Sequence, residues 1–417
     1  MQVKTILNRV TRFKSFVFTG VSWSDREPEA EILIKLEPRA NSKPICSDCH
    51  LPAPGYDRLK ERLFAFVPLW GIAVFFCYAM RRVDCPHCGV KVEEVPWSDG
   101  KSPMTTTFQW FLARWAKRLS WREVALTFRT SWESVWRSVE MAVAWGWARR
   151  DLGGIQAIGV DEILWRRGHK YLTLVYQIEE GFKRLLWVGE ERTQESFLGF
   201  FQLFGEERTA ALKYICSDMW KPYLDVIAEK AKGALHILDR FHIMSHMNKA
   251  IDEIRAQEAR RLKTDGYEPV LKHSRWCLLK RPENLTERQT VKLKELLRYN
   301  LKAVRAYLQR EDFQRFWKYK RPLWAGRFLK EWTMRVMRSR LEPMKKAAKM
   351  IRNHEPLILN WFRARGTISA AAVEGLNNKV KLTMRKSYGF RSVKIIKLAL
   401  YHNLGRLPEP DFTHRFC

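Results

Sequence analysis

The chain has 417 residues, 46% of them hydrophobic, and 75 Lys and Arg against 45 Asp and Glu, for a formal net charge of +30. At about 150 residues per domain, that length and apolar content predict two or three domains with conventional cores and exclude a disordered tail. The charge makes a polyanion the expected partner and argues against an enzyme of small neutral metabolites.

The opening residues, MQVKTILNRVTRFKSF, contain no uninterrupted apolar stretch, and eight cysteines are too sparse for a disulfide scaffold. Neither a secretory leader nor oxidised thiols are expected, and the setting they imply is cytoplasmic. Residues 1–100 read as a β-rich domain, with apolar alternation over Ala30–Pro38. Leu63–Met80 carries no charge over 18 residues. That meets the lower limit for a membrane span. However, Pro68, Gly71 and a Val-, Phe- and Tyr-rich second half favour a strand or hairpin, so no membrane partner is expected. Cys46-Ser-Asp-Cys49 and Cys85-Pro-His-Cys88 are two C-x-x-C knuckles, 35 residues apart. Four such thiolates close a tetrahedral Zn²⁺ site with no open position, so a structural zinc is expected on Cys46, Cys49, Cys85 and Cys88.

Residues 101–150 read as helices. Ser120-Trp-Arg-Glu123 and Thr130-Ser-Trp-Glu133 have the form of capping boxes. Val135, Val139 and Val143 continue one helical face. Two helices with a short connection suggest a helix-turn-helix whose second helix offers Trp132, Glu133, Ser134 and Arg137 to a major groove. The same pattern also fits a plain helical hairpin, and the basic chain favours DNA.

Residues 151–254 change to an α/β pattern. Strands are expected at 155–165, 170–177, 184–189, 212–217 and 234–238, and helices at 195–204, 220–230 and from Phe241 onward. Residues 255–365 read as a helical basic segment, with 16 Lys or Arg against 4 acidic residues from Leu301 to Asn353. Residues 366–417 hold a further helix and a basic tail, and Gly375–Pro408 has eight Lys or Arg and no acid. So one-signed an excess predicts phosphate contacts.

A few carboxylates stand out against this background. Asp161 follows the apolar strand Ala157-Ile-Gly-Val160, and Asp218 follows Leu212–Ser217. Residues at strand carboxyl ends line the ligand crevice of an α/β sheet. Glu374 sits in AAVEGLNNKVK, a predicted helix. Three carboxylates suffice to hold two Mg²⁺ ions about 3.5–4 Å apart for phosphoryl transfer. Glu162 competes with Asp161 for the same role. Lys381, about 700° round the helix from Glu374, shares its face and is placed to meet a phosphate. Lys379 and Arg385 crowd the same helix.

The order of zinc knuckles, helix-turn-helix, GVDE, SDMW, LDRFH and VEGLNNKVK resembles the ISL-three family of bacterial insertion-sequence DDE transposases over nearly the whole chain. The resemblance implies an RNase-H-like catalytic core interrupted by a helical insertion, with Asp161, Asp218 and Glu374 as the catalytic, Mg²⁺- or Mn²⁺-binding triad. It implies supporting roles for Asp239 and His242, in a motif where Asp239 equally suits a helix cap. It also points to Trp276 or Trp317 in the insertion as a base-stacking residue, although core packing explains most tryptophans. The expected function is binding of terminal inverted repeats, metal-dependent strand cleavage and 3′-OH strand transfer. The expected partners are transposon-end and target DNA, in a homodimer or larger oligomer on the bacterial nucleoid. The rival is a sequence-specific DNA-binding regulator whose α/β domain is a non-catalytic scaffold. It shares the charge, the knuckles and the helix-turn-helix but needs no carboxylate cluster.

Overall fold

The computed structural model describes residues 3–24, 30–267, 269–365 and 371–411. The chain divides into two compact units, residues 1–150 with 383–417, and residues 151–382.

In the first unit, α1 (Val3–Val10) precedes a sheet of β1 (Phe16–Ser24), β2 (Glu31–Pro38), β3 (Gly55–Leu69), β4 (Ile72–Cys85) and β5 (Gly89–Val92). The strand order is β1-β2-β4-β3, with β5 on β4. The uncharged segment is the β3–β4 hairpin. Leu69 pairs with Ile72 across a two-residue turn, Trp70 and Gly71, with φ of 54° and 79°. Two positive φ values match the twist of the flanking strands. Phe64, Phe66, Val74, Phe76, Tyr78 and Met80 are buried with Phe16, Phe18, Ile34 and Trp97. Among the described residues, no helix is long and apolar enough to cross a membrane.

Next come α2 (Thr106–Ala116), α3 (Trp121–Thr127) and α4 (Trp132–Ala148). Ser120 and Glu123 form the expected reciprocal capping box on α3. The second expected box is absent. Arg129, at φ 50°, ends α3 in the left-handed region, and Thr130 N–H closes back on Ala125 O at 2.9 Å. This Schellman closure spends Thr130 on the end of α3. Ser131 therefore caps α4, its Oγ accepting from Ser134 N–H at 3.0 Å, and Glu133 instead pairs with Arg137 at 2.6 Å.

The second unit is built on β6 (Ala157–Arg166), β7 (Lys170–Gln177), β8 (Arg184–Glu190), β9 (Tyr214–Ser217) and β10 (Leu235–Leu238), in the order β10-β9-β6-β7-β8. β6, β7 and β8 form an antiparallel meander, while β9 runs parallel to β6 and β10 parallel to β9. α5 (Gln194–Phe204), α6 (Glu206–Ala210) and α7 (Lys221–Lys230) follow the meander. Phe197, Phe200 and Phe204 of α5 and Tyr223, Val226 and Ile227 of α7 bury against Ile158, Val160, Val175 and Ile215 of the sheet.

The helical segment comprises α8 (Arg240–Thr264), α9 (Arg275–Leu279), α10 (Glu287–Leu296), α11 (Lys302–Gln314), α12 (Pro322–Met337), α13 (Glu342–Asn353) and α14 (Glu355–Arg363). Its own core includes Ile251, Phe313, Phe316, Trp332, Met344 and Ile351. Buried Glu258 of α8 accepts the backbone N–H groups of Lys302 and Ala303, both at 2.8 Å. It thereby satisfies the first donors of α11, which lacks a capping side chain of its own. α14 packs on β10, where Asn360 Nδ2 donates to His236 O at 2.7 Å.

α15 (Ala371–Lys386) begins in this unit, and α16 (Val393–Leu404) belongs to the first. There α16 packs on α4, with Tyr401 meeting Trp147 edge-on at 4.4 Å. Lys386 donates to the last carbonyls of α2, Ala116 O and Lys117 O, at 3.2 Å each.

Candidate active site and metal centre

The parallel pairing of β6, β9 and β10 stops at one end of the second unit's sheet, and a carboxylate stands at that end of each: two follow their strands, while Asp161 lies within β6, which runs on to Arg166 against β7. β6 and β9 stay paired as far as Gly159 and Cys216, which leaves Asp161 just beyond the shared ladder. Asp218 follows Ser217, the end of β9, and Asp239 follows Leu238, the end of β10.

Asp161 Oδ1 accepts Glu162 N–H at 2.8 Å, and Oδ2 accepts Asn377 Nδ2 at 2.6 Å. Burial pushes its carboxyl above the usual range, with the Asp218 charge adding to the effect. Asp218 is buried; Oδ1 accepts Trp220 N–H at 3.0 Å and Oδ2 accepts Arg192 Nη2 at 3.1 Å. Glu162 lies 2.9 Å from the same Arg192 nitrogen. Burial pushes Glu162 up to about 8; the Asp218 and Asp161 charges add to this and Arg192 opposes it.

Asp239 caps α8 by accepting Phe241 N–H at 2.7 Å and lies 3.7 Å from His242 Nε2. Burial raises its carboxyl too, and the charges of Asp161 and Glu374 contribute. Asp161, Asp218, Asp239 and Glu374 are thus linked by mutual repulsion. Glu374 is the outlying member, exposed in the first turn of α15.

The approach of α15 to β6 has a local cause. A Cβ on Gly159 would lie 2.4 Å from Val373 Cγ2, so only glycine admits the helix at this distance. Asn377, one turn after Glu374, then bridges two strands. Its amide donates to Asp161, and its Oδ1 accepts the Tyr176 hydroxyl at 2.7 Å.

The donor set is all oxygen, and Glu162 Oε2 is buried with no hydrogen-bond partner. Oxygen donors carrying surplus negative charge suit a hard divalent cation such as Mg²⁺ or Mn²⁺. Among the described residues, only the four knuckle cysteines gather three or more ligand atoms within 4.8 Å of one another. Asp161, Asp218 and Glu374 do not form so tight a group here.

Arg192, Asn377 and Tyr176 were not singled out from the sequence. Arg192 lies in a connection with no motif of its own. Asn377, inside GLNN, carried the stronger signal.

The cysteine cluster joins the turn around Cys46 and Cys49 to the β4–β5 turn carrying Cys85 and Cys88. All four Sγ atoms lie within 4.8 Å of one another, and Cys49 Sγ is 3.5 Å from Cys85 Sγ. A tetrahedron with Zn–S bonds near 2.3 Å has edges of about 3.8 Å, so the spacing suits Zn²⁺. None of the four is in a disulfide. The N–H groups of His87 and Cys88 lower the Cys85 thiol, whereas burial and the neighbouring thiols raise Cys88, so the crowded thiols share their negative charge unevenly without a cation among them.

Of the candidate DNA contacts, Arg137 is exposed but paired with Glu133, and Ser134 is half-buried beneath the Ser131 cap. Lys379, Lys381 and Arg385 are exposed on α15. Trp276 is 52% exposed with Arg275 over its ring, whereas Trp317 is buried in the core of the helical segment.

The family model described as "Transposase", for DDE transposases of the ISL3 type, matches residues 158–400, more than half of the chain. The transposase for insertion sequence element IS1001 of Bordetella parapertussis is 26% identical over 375 residues, 89% of this chain and 91% of that protein. The transposase for insertion sequence element IS1557 of Mycobacterium tuberculosis is 29% identical over 415 residues, 92% of this chain and 91% of its own length. The matched region begins in β6 and ends in α16, and so takes in Asp161, Glu162, Asp218, Asp239 and Glu374. The chain belongs to the ISL3 family of DDE transposases.

Proposed function

We propose that this transposase cuts DNA at the ends of an insertion sequence with divalent ions held by Asp161, Asp218 and Glu374, and then joins the freed 3′-OH to target DNA. The second unit is read as an RNase-H-like core, with α8–α14 as its insertion. One observation carries the reading. The two central carboxylates both lie just past the end of the parallel β6–β9 ladder, Asp161 within β6 and Asp218 after β9, and α15 is tied to the first of them through Asn377.

Mg²⁺ or Mn²⁺, when bound, supplies Lewis-acid stabilisation of the attacking and leaving oxygens. Asp161 and Asp218 supply preorganised oxygens, because hydrogen bonds from backbone N–H groups and from Asn377 already orient the carboxylates. Each carboxylate oxygen retains accepting capacity beyond these bonds. Asp239 and His242 support the site from the start of α8. Lys381, two turns from Glu374 on the same helix face, would meet a passing phosphate, and Arg385 extends that cationic face, while Lys379 offers a second cation on the other side of α15. The cysteine cluster, read as a structural zinc module, and α3–α4 would bind the terminal repeats, with Ser134 and Arg137 facing DNA. Cutting two ends in one complex calls for at least a dimer.

The test is cleavage of end-containing DNA in Mg²⁺ or Mn²⁺, with end binding followed by gel shift. Asp161→Asn should bind the ends and fail to cut. Cleavage at the wild-type rate would refute the assignment, and binding without any wild-type cleavage would favour a DNA-binding regulator.

A further inference from the structure

Arg192 enters the carboxylate cluster from the connection between β8 and α5. Glu191, at φ 65°, turns the chain there. It is held by its own N–H to Tyr171 O at 2.9 Å and by Thr173 Oγ1 to its carbonyl at 2.8 Å. The side chain of Arg192 is thereby aimed inward. A single nitrogen, Nη2, serves both Glu162 Oε1 at 2.9 Å and Asp218 Oδ2 at 3.1 Å. The guanidinium lies over Trp220, 4.5 Å from the ring centre, and Trp220 meets Tyr223 edge-on at 4.7 Å. Two atoms are left over: Arg192 Nε and Glu162 Oε2 are both buried with no hydrogen-bond partner. A structural ion pair would ordinarily satisfy such atoms, because each orphan in a buried network is costly. This pairing has the form of a provisional arrangement around charges waiting for another partner.

We propose that Arg192 is the internal cation of the metal-free site: it neutralises Asp218 and Glu162 until a divalent ion arrives, then yields Asp218 to that ion while retaining Glu162. The inference rests on the reading of Asp218 as a divalent-ion ligand. A guanidinium within hydrogen-bonding distance of a shared ligand repels an incoming dication and occupies one of its oxygens. Without it, four clustered carboxylates would oppose folding of the unloaded protein. Glu162 gives Arg192 somewhere to remain, and the Trp220 face keeps the guanidinium stacked while it shifts. Arg192 acts through Asp218 and is therefore a positioning residue.

The experiment measures Mn²⁺ affinity of the full-length, zinc-loaded chain by electron paramagnetic resonance of the free ion, with melting temperature followed by circular dichroism. Wild type, Arg192→Gln, Arg192→Lys and Asp161→Asn are compared at one pH and ionic strength. Removing a unit charge this close to the ion should tighten Mn²⁺ binding by Arg192→Gln on the order of tenfold. Arg192→Lys should fall between it and wild type, because an ammonium keeps the charge but lacks the planar face that stacks on Trp220 and holds Arg192 between the two carboxylates. Both Arg192 variants should melt lower than wild type without metal and gain more from Mn²⁺. A merely structural role would weaken Mn²⁺ binding together with the fold. Equal or weaker binding by either folded variant overturns the proposal, and Arg192→Lys decides alone if Arg192→Gln does not fold. Wild type and Asp161→Asn binding Mn²⁺ alike would sink the site reading itself. Loss of binding in Asp161→Asn without a gain in the Arg192 variants would sink only this inference.

Discussion

The Gly159–Val373 contact offers a sharp test of how the last carboxylate is delivered. In Gly159→Ala the new Cβ would sit 2.4 Å from Val373 Cγ2, with Ile178 atoms at 3.4 and 3.6 Å behind it. Valine is branched at Cβ and stiff at χ1, so its methyl cannot simply swing aside. Overpacking of this kind costs about 1–3 kcal/mol. At roughly 2–4 °C per kcal/mol for a unit of this size, the second unit should melt about 2–12 °C lower. The strain is relieved most easily by moving α15 outward, which carries Glu374 and Asn377 with it. A misplacement of about 1 Å costs on the order of 10²-fold in rate. Cleavage of end-containing DNA should therefore fall further than stability does. Val373→Ala alone should cost about 1.6 kcal/mol for its two lost methyl groups, plus any residual cavity. In the Gly159→Ala background the same change removes the clash. The double variant should thus be at least about 1 kcal/mol more stable than additivity predicts. Thermal unfolding of the four proteins measures this, and additive losses within about 0.5 kcal/mol would refute the contact as the reason for the glycine.

Three further outcomes follow from the same structure. Asn377→Asp places a carboxylate where the amide now donates to Asp161 at 2.6 Å, so cleavage should drop at least about tenfold while end binding persists; unchanged cleavage would remove Asn377 from the site. Purified protein should carry one zinc per chain by elemental analysis, lose it in Cys85→Ser, and lose melting of the N-terminal sheet with it; a folded, metal-free wild type would contradict the cluster's role. Burial holds His236 down to about 4, below its ordinary 6.5. The unfolded chain therefore binds a proton between those values that the folded chain refuses, so the stability this histidine allows is present above pH 6.5 and lost as pH falls toward 4. At about 1.4 kcal/mol per pKa unit the loss is about 3 kcal/mol, and His236→Asn should flatten that acid limb of the melting profile. An unchanged slope would show that His236 does not govern it.

Much of the second unit is legible in the sequence because its strands are short apolar runs bounded by turns. Lys170–Gln177 matches β7 residue for residue, and the helix expected after Ser217 is α7. The uncharged Leu63–Met80 segment reads as a hairpin because Pro68 and Gly71 defeat a helix, and the structure turns at Trp70-Gly71. Thr130 shows where local motifs mislead. Its spacing to Glu133 is right for a box, but α3 claims it first through the Schellman closure. Asp161 and Asp218 draw attention because each follows an apolar strand. Arg192 does not, because an arginine in a basic chain is unremarkable until the fold encloses it among carboxylates. Glu374 needs more than its motif, since its approach depends on a missing Cβ at Gly159 and on an amide at Asn377. Those are facts of tertiary packing that no local pattern encodes.

The central claim is that Asp161, Asp218 and Glu374 share divalent ions. Iron-directed cleavage of the polypeptide tests it most directly. Fe²⁺ bound in place of Mg²⁺, with ascorbate and peroxide, cuts the backbone beside its ligands. The account predicts fragments ending near residues 161, 218 and 374 together, all suppressed by excess Mg²⁺ and all lost in Asp161→Asn. Cuts at only one of the three positions, or cuts that Mg²⁺ leaves unchanged, would contradict it.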